Sequence, residues 1–525
     1  MLHPERRQTV FAATLLLMLS GFLSRIIGLV RIKYIAWLFG SGMEADALTA
    51  AFVLPDMLSY FLVGGAASIS FVSMLTRYRE TGREAEGERS LSIILNTMYL
   101  VLGAAILVAE LAAPLWVHWW FRGFGPEKAA LCVRLTRILL PAQLFFFAGG
   151  VFASVLLVRK QFNVQSLTPL IYGMGPIVGG MLLYKHLGAA SLALGNTLGA
   201  FLGPFLLNWI FAHRAGTRYR PILDFHDEGL HEWVRLSLPL MVGMSLVTVD
   251  SWFIGYFASS TNGGIALMNY AKQLFTAPMS MLSMAAGVAS MPFFSSLWNQ
   301  KRHYEFATGV ADSVSRIAAL GLLVASAMVS VARPLIGFLF LGGRFSAQDA
   351  SHCTSYFMVF SVTMFLWGAQ AIYARAFYAA GQTLAPAIAS TAVTIVSFPV
   401  YAVLYHAWGT MGLAAASDFG ITLQTITIAV LLHKRRMVSL ASLDLPELGR
   451  CLVGGLAAGA AAWASVWAML HLAAKLPLAL PHRAQCVNAV VLLVAFSLWL
   501  VVARATLEAT GSALPRAILK KLRLA

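Results

Sequence analysis

The chain has 525 residues, of which 59% are hydrophobic and 11% charged, and its mean hydropathy is +0.75. A water-soluble chain carries about 25% charged residues because its surface must be solvated, so a soluble globule is excluded, and with it the nucleic-acid-binding and secreted disulfide classes. The formal net charge of +16 then needs a cause other than an acidic macromolecule, and membrane topology supplies one.

Apolar stretches of about 20 residues, the length a helix needs to span a bilayer, recur between charged or Gly/Pro-containing loops. Fourteen segments are predicted, at 10–38, 46–75, 91–117, 129–157, 166–185, 189–212, 236–258, 265–296, 309–332, 352–379, 384–405, 411–432, 451–472 and 485–505. Arg6 and Arg7 precede the first. No small-x-small cleavage site follows it, so it is expected to be an uncleaved first span rather than a signal peptide. The second and eighth segments echo one another at an offset of 223 residues: Pro55, Gly64, Ala66, Phe71 and Ser73 fall on Pro278, Gly287, Ala289, Phe294 and Ser296. A parallel repeat of this kind suggests two six-segment lobes, a common transporter construction. The expected divisions are 1–220, 221–436, and 437–525 for the last two segments and a tail. With a cytoplasmic N-terminus, the inner loops and tails collect 21 Lys and Arg and the outer loops 7. This bias obeys the positive-inside rule and accounts for most of the basic composition. An even number of segments puts both termini in the cytoplasm.

A charge in the hydrocarbon core costs about 2.5–3.5 kcal/mol on insertion scales, so each one calls for a partner or a function. The first segment carries Arg25 and Arg31, about 9 Å apart along a regular helix and separated by roughly 600° of rotation. They point to different faces unless Gly28, between them, permits a bend that turns both inward. Paired guanidiniums in a cavity suit a phosphate or pyrophosphate, because the planar fork stays ionised and binds such oxygens bidentately. The alternative is that Arg31 or Lys33 snorkels to the outer interface. Asp46, opening the second segment, either pairs with a first-segment arginine or stands as an exposed acid near the helix N-terminus. Pro55 favours a kink beside Asp56. In the second lobe, Asp250 and Lys272 either pair with each other or leave Lys272 for an anion.

No catalytic constellation emerges. There is no Walker A loop, no H-E-x-x-H and no G-x-S-x-G. Cys132, Cys353, Cys451 and Cys486 lie far apart, and no His pair sits at metal spacing. No metal and no ATP engine are expected.

The run Ser24-Arg25, Gly28, Arg31, Phe39-Gly40-Ser41-Gly42, Asp46-Ala47 and Leu54-Pro55 resembles the MurJ (MviN) lipid II flippases of the multidrug/oligosaccharidyl-lipid/polysaccharide exporter superfamily. So do the stretch from Pro334 to Gly337 that continues through Gly342-Gly343-Arg344-Phe345-Ser346, and Arg375-Ala376-Phe377-Tyr378-Ala379 with Thr383 and Pro386. The resemblance implies an all-α polytopic membrane protein. Two six-helix lobes would form a V around a central cavity, and two appended helices would make a groove for a polyprenyl tail. It implies a transporter rather than an enzyme, in the bacterial cytoplasmic (inner) membrane, moving lipid II or a similar polyprenyl-pyrophosphate glycolipid outward by alternating access. Arg25, Arg31 and Lys272 would bind the pyrophosphate, with Asp46 and Asp250 as supporting charges. No cofactor is expected; membrane potential or a monovalent cation is the candidate coupling, and peptidoglycan-synthesis proteins are candidate partners. The chain departs from the family's pattern at Ile32, where an acid often stands. It also departs at Ser59 or Tyr60 for a base, Gly64 for an acid, and Lys272-Gln273 for an Asp-Arg pair. Export of another polyprenyl-linked glycan, and a non-transporting scaffold for envelope synthesis, are the rival expectations.

Overall fold

The computed structural model describes residues 10–63, 65–159, 161–242, 245–475 and 483–515. Arg6, Arg7, Gly64, Lys160 and the basic tail from Arg516 to Arg523 lie outside the described residues. The described residues of all fourteen predicted segments lie mostly on helix. The number of crossings is not confirmed at fourteen. Among the described residues 10 helices are long and apolar enough to cross a membrane, or up to 11 with one pair bent by 44°. The first helix carries Arg25, Arg31 and Lys33, and the described parts of the seventh segment lie in helices of 15 and 13 residues. The chain is a multi-pass membrane protein.

The chain forms two compact units. The first comprises residues up to Ile35 together with Gly42–Gly243; the second comprises Ala36–Ser41 together with Met244–Ala525. The division near 220 expected from the sequence thus falls later, because the helix over Glu228–Val242 packs on helices of the first unit. The last two helices belong to the second unit.

The first unit contains most of α1 (Val10–Phe39), α2 (Met43–Ala51), α3 (Val53–Leu58), α4 (Gly65–Glu80), α5 (Glu84–Trp120), α6 (Pro126–Leu139), α7 (Ala142–Val158), α8 (Phe162–Leu187), α9 (Ala190–Ala200), α10 (Asn208–Arg214) and α11 (Glu228–Val242). Helices α8 and α9 approach until backbones touch. A Cβ on Gly175 would lie 2.3 Å from the Gly195 carbonyl oxygen, and one on Gly179 2.6 Å from that of Ser191. Small residues are what permits such contact where lipid offers no hydrophobic drive. A wide π turn, Phe201–Leu207, joins α9 to α10 around Pro204, which has no N–H to give the ladder. Asn208 donates its side-chain amide to the Pro204 carbonyl at 2.8 Å. The core of this unit centres on Phe71, Phe147 and Trp233; the Phe71 and Trp233 rings lie 5.3 Å apart.

The second unit contains α12 (Leu246–Ala258), α13 (Gly264–Asn299), α14 (His303–Phe340), α15 (Ala347–Val362), α16 (Met364–Ala379), α17 (Leu384–Trp408), α18 (Thr410–Lys434), α19 (Leu445–Lys475) and α20 (Arg483–Ala509). Phe294, the repeat counterpart of Phe71, is likewise buried, here against Phe306. The turn that ends α1 is part of this unit. Arg344 donates its backbone N–H to the Trp37 carbonyl at 3.0 Å, and the Tyr270 hydroxyl donates to the Gly40 carbonyl at 2.9 Å. Gly40 and Gly343 have φ of +58° and +59°, and a Cβ on either would lie 2.2 Å from a backbone oxygen of the other strand of chain. Only glycine meets both demands. Ser41 donates to Asp349 at 2.6 Å, and Asp349 with Ser346 forms the capping box that opens α15. Two of the family-like stretches, far apart in sequence, are therefore the two halves of one docked turn.

Candidate functional site

The sequence singled out charges within apolar segments, and the structure sorts them. Helix α1 runs unbroken through Gly28. Arg25 is exposed and Arg31 half-buried, as their rotation about a regular helix requires. Neither forms an ion pair among the described residues. Arg31 lies close to Tyr172 of α8, with Asn196 of α9 beside that hydroxyl and Asp56 within its electrostatic reach. The glycine contacts of α8 and α9 bring Tyr172 and Asn196 to this place. The result is a basic group with hydroxyl and amide company and one nearby carboxylate, suited to holding an anion.

Asp46 does not pair with an arginine of the first helix. It is fully buried and pairs with Lys128 of α6 at 2.5 Å; the Lys128 ammonium also lies 4.3 Å from the Phe124 ring centroid. Lys128 immediately precedes the fourth predicted segment, 129–157, and so belongs to the seven outer-loop Lys and Arg of the sequence count. The signal for its burial was weak: one lysine just after Pro126 at a helix start, with no apolar periodicity to mark its side as inward.

In the second unit, Lys272 of α13 pairs with Asp250 of α12. Asp250 also accepts from the Tyr401 hydroxyl of α17 and from the Ser417 hydroxyl of α18 at 2.9 Å. Four helices thus converge on one carboxylate. Lys272 makes a further 3.1 Å contact to the Ser251 hydroxyl. Asp418, next along α18, accepts from Thr363 at 2.5 Å. Tyr401 and Ser417 were not anticipated, because a Tyr and a Ser in apolar helices are common and only proximity gives them a role. No group of three His, Cys, Asp or Glu that could hold a metal occurs among the described residues.

The second unit also has an apolar cavity of about 930 Å³ lined by α14, α16, α18 and α19, including Leu322, Phe365, Leu456 and Trp463. The resemblance implied a groove made by the last two helices. Of these α19 lines the cavity, while α20 packs on α14 and α19.

The family model described as Lipid II flippase MurJ matches residues 35–479. A relative from Vibrio cholerae serotype O1, named "Probable lipid II flippase MurJ", is 24% identical over 424 residues, covering 78% of this chain and 80% of its own length. A solved structure of "Lipid II flippase MurJ, inward closed conformation" superposes with a TM-score of 0.75 at 20% identity, over 94% of this chain and 99% of that one. A multidrug resistance MATE family transporter of the MOP superfamily, in its inward-facing conformation, gives a TM-score of 0.64 at 16% identity over 78% and 94%. Both structural likenesses concern the fold.

Proposed function

Because this chain belongs to the MurJ lipid II flippase family, we propose that it moves lipid II from the inner to the outer leaflet of the bacterial cytoplasmic membrane by alternating access. Both termini lie in the cytoplasm, as the loop arginines and lysines favour. The observation that carries this reading is the pair of α1 arginines. In a chain that neutralises Lys128 and Lys272 with carboxylates, Arg25 and Arg31 make no ion pair among the described residues. A guanidinium held in an apolar segment without an ion-pair partner is costly, and an anionic ligand offsets that cost. Pyrophosphate supplies the oxygens such forks bind.

Lys272 is the auxiliary cation. Its ammonium is a compact point donor rather than a fork, and it remains partly accessible beside Asp250. The 930 Å³ apolar cavity offers an isoprenoid chain a dry wall. An inside-negative potential favours outward movement of negative charge. Two charges crossing 100 mV gain about 4.6 kcal/mol if the whole field acts on them, enough to bias export without ATP.

The test is rescue of flippase-depleted cells by this chain, paired with lipid II translocation in proteoliposomes. Wild type is expected to rescue and to translocate. Normal translocation by both Arg25→Ala and Arg31→Ala would end the anion-clamp reading.

A further inference from the structure

The first unit also holds a cavity of about 580 Å³, lined by none of the charged residues described above. Its walls are aromatic: Tyr99 of α5, Phe152 of α7, Phe205 of the π turn, Trp209 of α10 and Tyr219 of the connector between α10 and α11. Asn96 forms the polar edge. Its amide donates to the carbonyls of Arg220 and Ile222 at 3.0 and 2.9 Å, and its own carbonyl accepts from the Tyr219 hydroxyl at 2.6 Å. The connector is fastened further by Ser92, which accepts from the Arg220 N–H at 3.2 Å, and by the Arg89–Asp224 pair at 3.2 Å. The cavity wall is therefore built in place by the fold.

Its depth follows from α5. The exposed apolar side chains of that helix run from Leu100 through Leu107, Leu111 and Leu115 to Trp119, a rise of about 29 Å and so close to the hydrocarbon thickness of a bilayer. Asn96 and Tyr99 sit at one edge of this belt. Tyr and Trp are the side chains that favour that boundary. Just beyond it come Arg214, Arg218 and Arg220, all exposed, and none forms an ion pair among the described residues. The acids close by are occupied: Asp224 by Arg89, and Asp227 by Ser90 and the N–H of Leu230.

We propose that this is a binding site for an anionic glycerophospholipid of the leaflet on the connector's side. Its phosphate and headgroup meet Arg218 and Arg220, and an acyl chain enters the aromatic cavity. A zwitterionic lipid would offer the same chain but less net charge to the arginines. The inference rests on membrane residence and not on the flippase reading, because the proposed pyrophosphate ligands lie on other helices.

The experiment titrates the full chain, delipidated in detergent, with phosphatidylglycerol or phosphatidylcholine, and counts bound lipid by native mass spectrometry. Phosphatidylglycerol is expected to bind more tightly than phosphatidylcholine. Arg218→Gln with Arg220→Gln should lower phosphatidylglycerol affinity about 10- to 30-fold, as loss of two basic groups at an anionic headgroup predicts, with phosphatidylcholine little changed. Arg218→Lys with Arg220→Lys should restore it, and Trp209→Ala should weaken it. Arg25→Ala with Arg31→Ala should leave phosphatidylglycerol binding intact, so failure of the pyrophosphate clamp and failure of this site are separable. Equal affinity for the two lipids overturns the proposal. So does wild-type affinity in the double glutamine variant, or displacement of phosphatidylglycerol by undecaprenyl pyrophosphate that is lost in Arg25→Ala with Arg31→Ala.

Discussion

Lys128 in the first unit and Lys272 in the second each close on an aspartate from a neighbouring helix, but their surroundings differ. Lys128 and Asp46 keep 9% and 0% of their side-chain surface, so the charges cancel in an enclosed place. Asp250 is almost as enclosed, at 2%, and is held by two hydroxyls besides, while Lys272 keeps 16%. Under the proposed function, the first unit separates tasks, with its anion-binding arginines on α1 distinct from its enclosed pair, and the second unit gives both tasks to Lys272. An ion pair desolvated on both sides offers little to a third ion, and breaking it strands a charge. A cation without a carboxylate, or with one side open, still attracts an incoming anion.

The contrast is broken or sharpened by substitution, and the largest effect is expected on α1. Arg25→Ala combined with Arg31→Ala should slow lipid II translocation by about 10²- to 10⁴-fold, since each hydrogen bond to a charged group is worth about 1.5–3 kcal/mol. Thermal unfolding in detergent should barely move. A large loss of stability would place these arginines with the enclosed pair. Asp46→Asn should do the opposite, costing about 3–5 kcal/mol by stranding Lys128. Asp46→Leu with Lys128→Met should recover most of that in denaturant titration, with translocation per folded molecule retained.

Gly343→Ala touches neither pair. It should cost about 1–3 kcal/mol through backbone strain at positive φ, with the Trp37 carbonyl in the way of the new methyl. Translocation should fall only as far as folded protein does; a larger drop would tie the anchored end of α1 to the function of Arg31. The smallest effect is expected from Lys272→Ala, about tenfold in translocation, in keeping with one weaker charged contact. Asp250 keeps its bonds from Tyr401 and Ser417, so stability should change less than in Asp46→Asn. Unchanged translocation would make Lys272 a counter-ion alone and sharpen the division between the units.

Much of the fold was legible because a bilayer imposes length and apolarity on every crossing segment. The helical segments could be bounded within several residues, and the echo of Phe71 in Phe294 identified two positions that both prove to be core. The breaks were less legible. The seventh segment is interrupted near Ser245 without a proline at that point, and the π turn at Pro204 preserves a continuous apolar run. Among the site residues, Asp250 and Lys272 were correctly considered as partners. Asp46 was assigned the wrong candidate partner, since Lys128 lies 82 residues away and its burial has no sequence period.

Hydropathy and charge placement by themselves determined a multi-pass helical membrane protein, its basic loops, and which few charges needed an account, because transfer to hydrocarbon penalises each residue one at a time. Which carboxylate meets which cation, which arginines stay uncommitted, and that the Gly40 turn docks on Gly343 were decided only by tertiary structure. Pairing depends on distance between helices remote in sequence, and that distance is set by close packing of small residues and by the breaks in the helices, neither of which a linear pattern specifies.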